Sequence, residues 1–224
     1  ALLHLERGLI EAHARDEAGY RKQGGHKQMW EAARDIGLDR PEIPADVLLR
    51  MMSGGGARQR VRAFPALSAR MEEMITFMAT VLVVETFAED VFGWAVRLLG
   101  DPEVSRNHVQ AAHLVECIRA DEKPHVDYLT VALSELRLRT LVAEDGSTEV
   151  SGAEVVDGIF ARQLRGAATR RPREAREQLQ QEIHELITDQ DRAGLISRRF
   201  ESLDSGWTFP VAADEQLDIL LTAA

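Results

Sequence analysis

Cysteine, lysine and aromatic residues are scarce in this sequence, and no apolar run is long enough to span a membrane. Cys117 is the single cysteine in 224 residues, so an internal disulfide is excluded. With no signal-peptide or membrane-span pattern, this usage predicts a reducing, cytoplasmic setting and no membrane partner. A basic surplus is lacking too. The net charge of -10 argues against nucleic acid, which recruits basic stripes, and leaves small molecules or other proteins as the expected partners. Only Lys22, Lys27 and Lys123 are lysines among 27 basic residues, which reads as codon bias rather than a binding function. The first residue is Ala1 and a helical pattern is already running at Leu2, so the chain reads as beginning downstream of its natural start.

What the sequence does have is apolar content at helical spacing. At 45% apolar residues it can build one sizeable core, and a single domain over 1–224 is expected. A first helical pattern runs from Leu2 to Gln23, is broken at Gly24-Gly25 and resumes from His26 to Ile36. Residues 37–66, with Ser53-Gly54-Gly55-Gly56 and Arg58, Arg60 and Arg62, form a long polar crossover. Met71 to Leu99 is the most apolar stretch and predicts a central helix, with Met71, Met74 and Met78 read as core. Gly100-Asp101-Pro102 stops it, and Ser105 is a candidate cap for a helix running to about Arg139. The short connection makes these two helices antiparallel neighbours. Beyond them, Glu144-Asp145-Gly146-Ser147 predicts a small hairpin or loop, and Ser151 with Glu154 forms a capping box for a short helix ending near Arg165. A further helix is expected from Glu174 to about Asp191, followed by an irregular tail through Trp207 and Pro210.

Ionisable residues fall on apolar faces of these helices. Glu122 and His125 lie amid Ile118, Val126, Leu129 and Leu133, and residues at i and i+3 project side by side. Burying a carboxylate without compensation costs several kcal/mol, so a partner is required, and a metal ion is the simplest. Pro124 between them breaks a helix rule, as happens at functional sites. Glu85 shares a face with Leu82 and Phe92, and Glu89 lies one turn on. Counted from the connection at 100–104, Glu85 and Glu122 reach similar depth. In the first segment Glu6, His13, Glu17 and Tyr20 share one side. Glu6 and Glu17 are too far apart for one centre, so Glu17, with His13 beside it, is preferred. On a continuous helix His26 points about 180° away from Glu17, and reaches the same site only if Gly24-Gly25 rotates the register.

Glu85, 35 intervening residues and then Asp121-Glu122-x-x-His125 resemble the half-motif of the ferritin-like di-iron carboxylate proteins. These include acyl-carrier-protein desaturases, the ribonucleotide reductase small subunit and aryl-amine N-oxygenases. Arg119 to His125 is similar to the D-E-K-x-H segment of the desaturases. The resemblance implies an all-α ferritin-like bundle of long antiparallel helices with a long crossover. Its core would occupy about 1–140, with a C-terminal extension of hairpin and extra helices over about 141–224. It implies metal ligands at Glu85, Glu122 and His125, to which Glu17, His13 and Glu89 are added from the helix faces, with Tyr20 as a redox-active or tuning phenol. The sequence departs from the family at Asp16-Glu17-Ala18-Gly19-Tyr20, where tyrosine stands in place of the second motif histidine. The family's first helix would lie before residue 1.

The implied function is a non-heme di-iron oxygenase or oxidase that activates O2 to hydroxylate, desaturate or N-oxygenate a small apolar or aromatic substrate. Two iron ions are the expected cofactor, with manganese or a single ion as alternatives. An electron-donor protein and a second copy of the chain, as a homodimer, are the expected partners. The alternative reading is a catalytically degenerate ferritin-like binding or partner subunit.

Overall fold

The computed structural model describes residues 9–38 and 62–204, with separate positions between 40 and 49; side chains at 168–176, 178–179 and 203–204 are not described. Leu2 to Gly8, including Glu6, the glycine-rich part of the crossover and the tail with Trp207 and Pro210 lie outside the described residues. The described chain is mostly helical: α1 (Ile10–Ala18), α2 (His26–Leu38), α3 (Ala69–Leu99), α4 (His108–Arg137), β1 (Thr140–Val142), β2 (Glu149–Ser151), α5 (Gly152–Leu186) and α6 (Gln190–Asp204). No described helix is long and apolar enough to cross a membrane.

Central to the fold is the pair α3 and α4. Ser68 caps α3 by accepting from the Met71 amide, and α3 stops at Gly100 after 31 residues. The α4 helix runs unbroken through Pro124. Ser105 does not cap it: the helix begins at His108, and Ser105 is buried against Gly37, whose added Cβ would meet its Oγ at 2.8 Å. The Arg106 amide donates to the Gly37 carbonyl, and the Asn107 amide side chain donates to the Ile36 carbonyl. These contacts dock the end of α2 onto the α3–α4 connection.

Two apolar cores lie along the α3–α4 pair. One joins Ile75, Met78 and Leu82 of α3, Leu129 and Leu133 of α4, and Val155 and Ile159 of α5. The other joins Phe92 and Leu99 of α3, Val115 and Ile118 of α4, and Ala33 of α2. Each enclosed aliphatic side chain contributes about 1.5–3 kcal/mol relative to exposure. Of the three methionines, only Met78 is buried; Met71 is half-buried and Met74 faces solvent. Between the cores, Glu85 on α3 and Glu122 and His125 on α4 occupy a buried polar layer.

The hairpin forms where turn chemistry places it. Strands β1 and β2 pair antiparallel with Leu141 opposite Val150. Gly146 takes a positive φ of 73°, and Asp145 accepts from Ser147 and Thr148. The Ser151 hydroxyl accepts from the Glu154 amide and opens α5. Two expectations fail beyond this point. The α5 backbone continues through the charged stretch at 170–176 to Leu186, where the sequence offers no apolar periodicity to announce a helix. Gln190–Asp204 is helical rather than tail, held by Phe200 edge-on to Trp94 and by Arg199 on Asp101 and Glu103.

Candidate metal centre

Four helical elements deliver side chains to the polar layer. From α3 comes Glu85, and from α4 come Glu122, His125 and, one turn further, Tyr128. His13, Asp16 and Glu17 come from α1, which ends at Ala18 rather than at Gln23. Gly19 turns the chain with φ 85°, Arg21 takes φ 58°, and Tyr20 and Gln23 form a tight antiparallel bridge. A Cβ at Gly25 would meet the Glu17 carbonyl oxygen at 2.3 Å, so this close approach requires glycine. The reversal rotates the register and brings His26, the first residue of α2, into the layer.

The resulting contacts are dense. The Nδ1 of His26 lies 2.9 Å from Glu17 Oε1 and 3.3 Å from Glu122 Oε1. His125 places Nδ1 at 2.9 Å from Glu122 Oε2 and Nε2 at 3.1 Å from Asp16 Oδ2. His13 shares a 2.7 Å hydrogen bond through Nδ1 with the Tyr128 hydroxyl, and its Nε2 lies 3.3 Å from Glu85 Oε1. The rings of His13 and His125 stack at 3.7 Å, only 6° from parallel. The two aspartates of the paired Asp-Glu doublets cross over: Asp16 of α1 reaches His125 of α4, while Asp121 of α4 approaches His26 of α2 at 3.6 Å.

Burial and close pairing shift the ionisable groups of this layer. Burial pushes the Glu85 carboxyl up against its hydrogen bond with His13, with help from its hydrogen-bonded neighbour Glu122. Burial also works against the Glu122 carboxylate, but hydrogen bonds from His125, His26 and Glu85 outweigh it and hold Glu122 well below the usual range. Burial disfavours imidazolium at His26, yet the carboxylates of Glu122 and Glu17 raise it to about 9. His125 is raised in the same way, against burial, by Glu122 and Asp16. Tyr128 is pushed up to about 12 by burial and by the nearby Glu85 charge.

Among the described residues, two sets of donors are close enough to hold a metal ion. His13, Glu17, Glu85 and His125 form one; Glu17, His26 and Glu122 form the other, with donor atoms within 4.8 Å of one another in each. Glu17 belongs to both. The donor set fits a cation: imidazole nitrogens and carboxylate oxygens suit iron, manganese or zinc. Among the described residues, buried His26 Nε2 has no hydrogen-bond partner, a further mark of a ring whose bonding is unfinished.

The structure thus brings together five of the residues expected from sequence: Glu17, Glu85, Glu122, His125 and His13. Glu89 stands outside, on the solvent side of α3, where it accepts from Arg119 Nε at 2.8 Å. The inner-edge carboxylate simply pairs with an arginine on α4. Tyr20 is also outside the layer, exposed in the reversal with the guanidinium of Arg15 4.5 Å from its ring centre. Tyr128 is the tyrosine at the site. Its position three residues after His125, next to core residue Leu129, was the available signal. Asp16 and Asp121 were visible as partners in the repeated Asp-Glu doublet. Comparison of the chain with protein-family models, curated proteins and solved structures finds no match.

Proposed function

We propose that this chain is a ferritin-like carboxylate–histidine metalloprotein that holds two iron ions and activates O2 to oxidise a small apolar or aromatic substrate. The observation that carries the reading is the pair of donor sets sharing Glu17. His13, Glu85 and His125 would hold one ion and His26 and Glu122 the other, with Glu17 between them. Iron bound there would supply the electrons for O2 reduction, which carboxylates support by changing coordination mode. The apolar cores on either side exclude bulk water from the buried face. Glu17, with 48% of its side chain exposed, marks the face open to solvent, O2 and an electron-donor protein. Ligating imidazoles must be neutral and ligating carboxyls ionised, so metal uptake should be favoured by rising pH.

A second reading, a partner or binding subunit without catalysis, draws on the same charge balance. Imidazolium–carboxylate pairing of this kind would balance the charge of the layer without a metal. Metal analysis of protein purified from iron-supplemented culture separates the two. About two irons per chain, with a near-ultraviolet band appearing on exposure to O2, supports the oxidase. A folded chain that takes up no metal supports the subunit. Glu122→Ala tests the site itself: it should abolish iron binding while the far-ultraviolet circular dichroism stays helical, and retained stoichiometric iron would refute the assignment.

A further inference from the structure

The three imidazoles of the cluster are not held alike. His26 turns Nδ1 towards the carboxylates of Glu17 and Glu122, and His125 has a carboxylate at each ring nitrogen. For His13 the arrangement differs. Its Nδ1 meets a neutral phenol, Tyr128, at 2.7 Å, while Nε2 points at Glu85 (3.3 Å) and Glu17 (3.9 Å). Tyr128 is buried on α4 and its ring meets the His13 ring edge-on, while His125, three residues earlier on the same face of α4, stacks flat on His13. The imidazole is therefore clamped in both position and tilt by residues of a helix other than its own.

We propose that Tyr128 is a positioning residue for the metal centre: its phenol oxygen accepts the Nδ1–H of His13 and so leaves the Nε2 lone pair aimed at the cluster. The inference rests on the metal-binding reading above. A neutral acceptor suits the task, because a ring must be neutral to ligate and its free nitrogen is chosen by the hydrogen bond at the other. Tyr128 thus does for His13 what no acidic residue of the layer is placed to do.

The test is a Co(II) titration of the full chain, read by visible absorption and calorimetry, for the wild type, Tyr128→Phe and Tyr20→Phe. Tyr128→Phe should weaken Co(II) binding about 10- to 100-fold and alter the Co(II) band, as loss of an outer partner does. Tyr20→Phe, in the exposed reversal, should match the wild type. Equal affinity and an unchanged band in Tyr128→Phe would overturn the positioning role and leave the metal reading standing. Failure of the wild type to bind Co(II) would overturn both. Nitrogen-15 spectra of the metal-free wild type give an independent readout that needs no variant: His13 should carry its proton on Nδ1, and an Nε2–H tautomer would overturn the proposal.

Discussion

His26 Nδ1 lies 2.9 Å from Glu17 Oε1, although nine positions in an unbroken helix would put the two side chains on opposite faces. The reversal at residues 19–25 makes the contact, and Gly25 makes the reversal. Gly25→Ala should therefore destabilise the chain by about 2 kcal/mol, since its Cβ would collide with the Glu17 carbonyl and the Gly19 amide. Thermal denaturation measures the loss. Metal stoichiometry should fall with it, because His26 is carried away; a variant with wild-type melting and metal content would show that the close approach is not needed.

The crossed aspartates give a subtler expectation. Asp16 lies 3.1 Å from His125 Nε2 and supplies no member of either donor set. Asp16→Asn keeps the shape and removes the charge that holds the ring. Metal affinity should drop about 10- to 100-fold with helical content unchanged. Calorimetric titration against the wild type checks it, and an unaltered dissociation constant would count against the role.

Glu89 tests the opposite expectation. Its partner Arg119 is as exposed as it is, so the pair contributes little, at most about 1 kcal/mol. Glu89→Ala should leave metal stoichiometry at the wild-type level and shift the chemical-denaturation midpoint only slightly. Loss of metal in this variant would return Glu89 to the site.

Acid sensitivity should trace partly to Glu72, away from the metal layer. This buried carboxylate accepts from the amides of Ala63 (2.6 Å) and Phe64 (3.3 Å) and from Arg62 Nε at 3.0 Å. Burial opposes its charge, but the hydrogen bonds from Ala63, Arg62 and Phe64 prevail and hold its pKa below the ordinary 4.5. A depressed carboxylate stabilises the fold above that ordinary value and loses the contribution as pH falls beneath it. Glu72→Gln should cost about 1–2 kcal/mol at neutral pH and flatten the stability decline below pH 4.5. Equal slopes in the two proteins would sink the assignment.

Much of this arrangement was legible in the residues because the helix period carries it. The central helices, the short connection, the hairpin turn and the capping box at Ser151 follow from local chemistry. So does the placing of Glu85, Glu122 and His125 in one layer, since ionisable groups amid Leu82, Phe92, Ile118 and Leu129 have nowhere else to point. The reversal at Gly19–Gly25 was only half legible: two glycines mark a break, but the direction in which the chain leaves it depends on tertiary contacts. A continuous helix puts His26 opposite Glu17, and the register rotation that Gly24-Gly25 permits is what brings it in. Glu89 lay on the expected face by angle, yet a few tens of degrees at the rim of a helix decide between a buried carboxylate and a solvated ion pair, and Tyr20 falls outside because α1 ends at Ala18, before it. Tyr128 was hidden by its chemistry, since a phenol among apolar residues reads as core. The α5 helix was cut short because its middle is charged throughout.

The hydrogen bond between His13 and Tyr128 joins residues 115 positions apart. During synthesis, α1 and α2 emerge long before α4, and their acidic and imidazole side chains must wait for it, with the crossover and all of α3 still to be made. Closing so long a stretch of chain is slow compared with helix formation. The polar layer can therefore close only once α4 has been made and His13 and Tyr128 have been brought together.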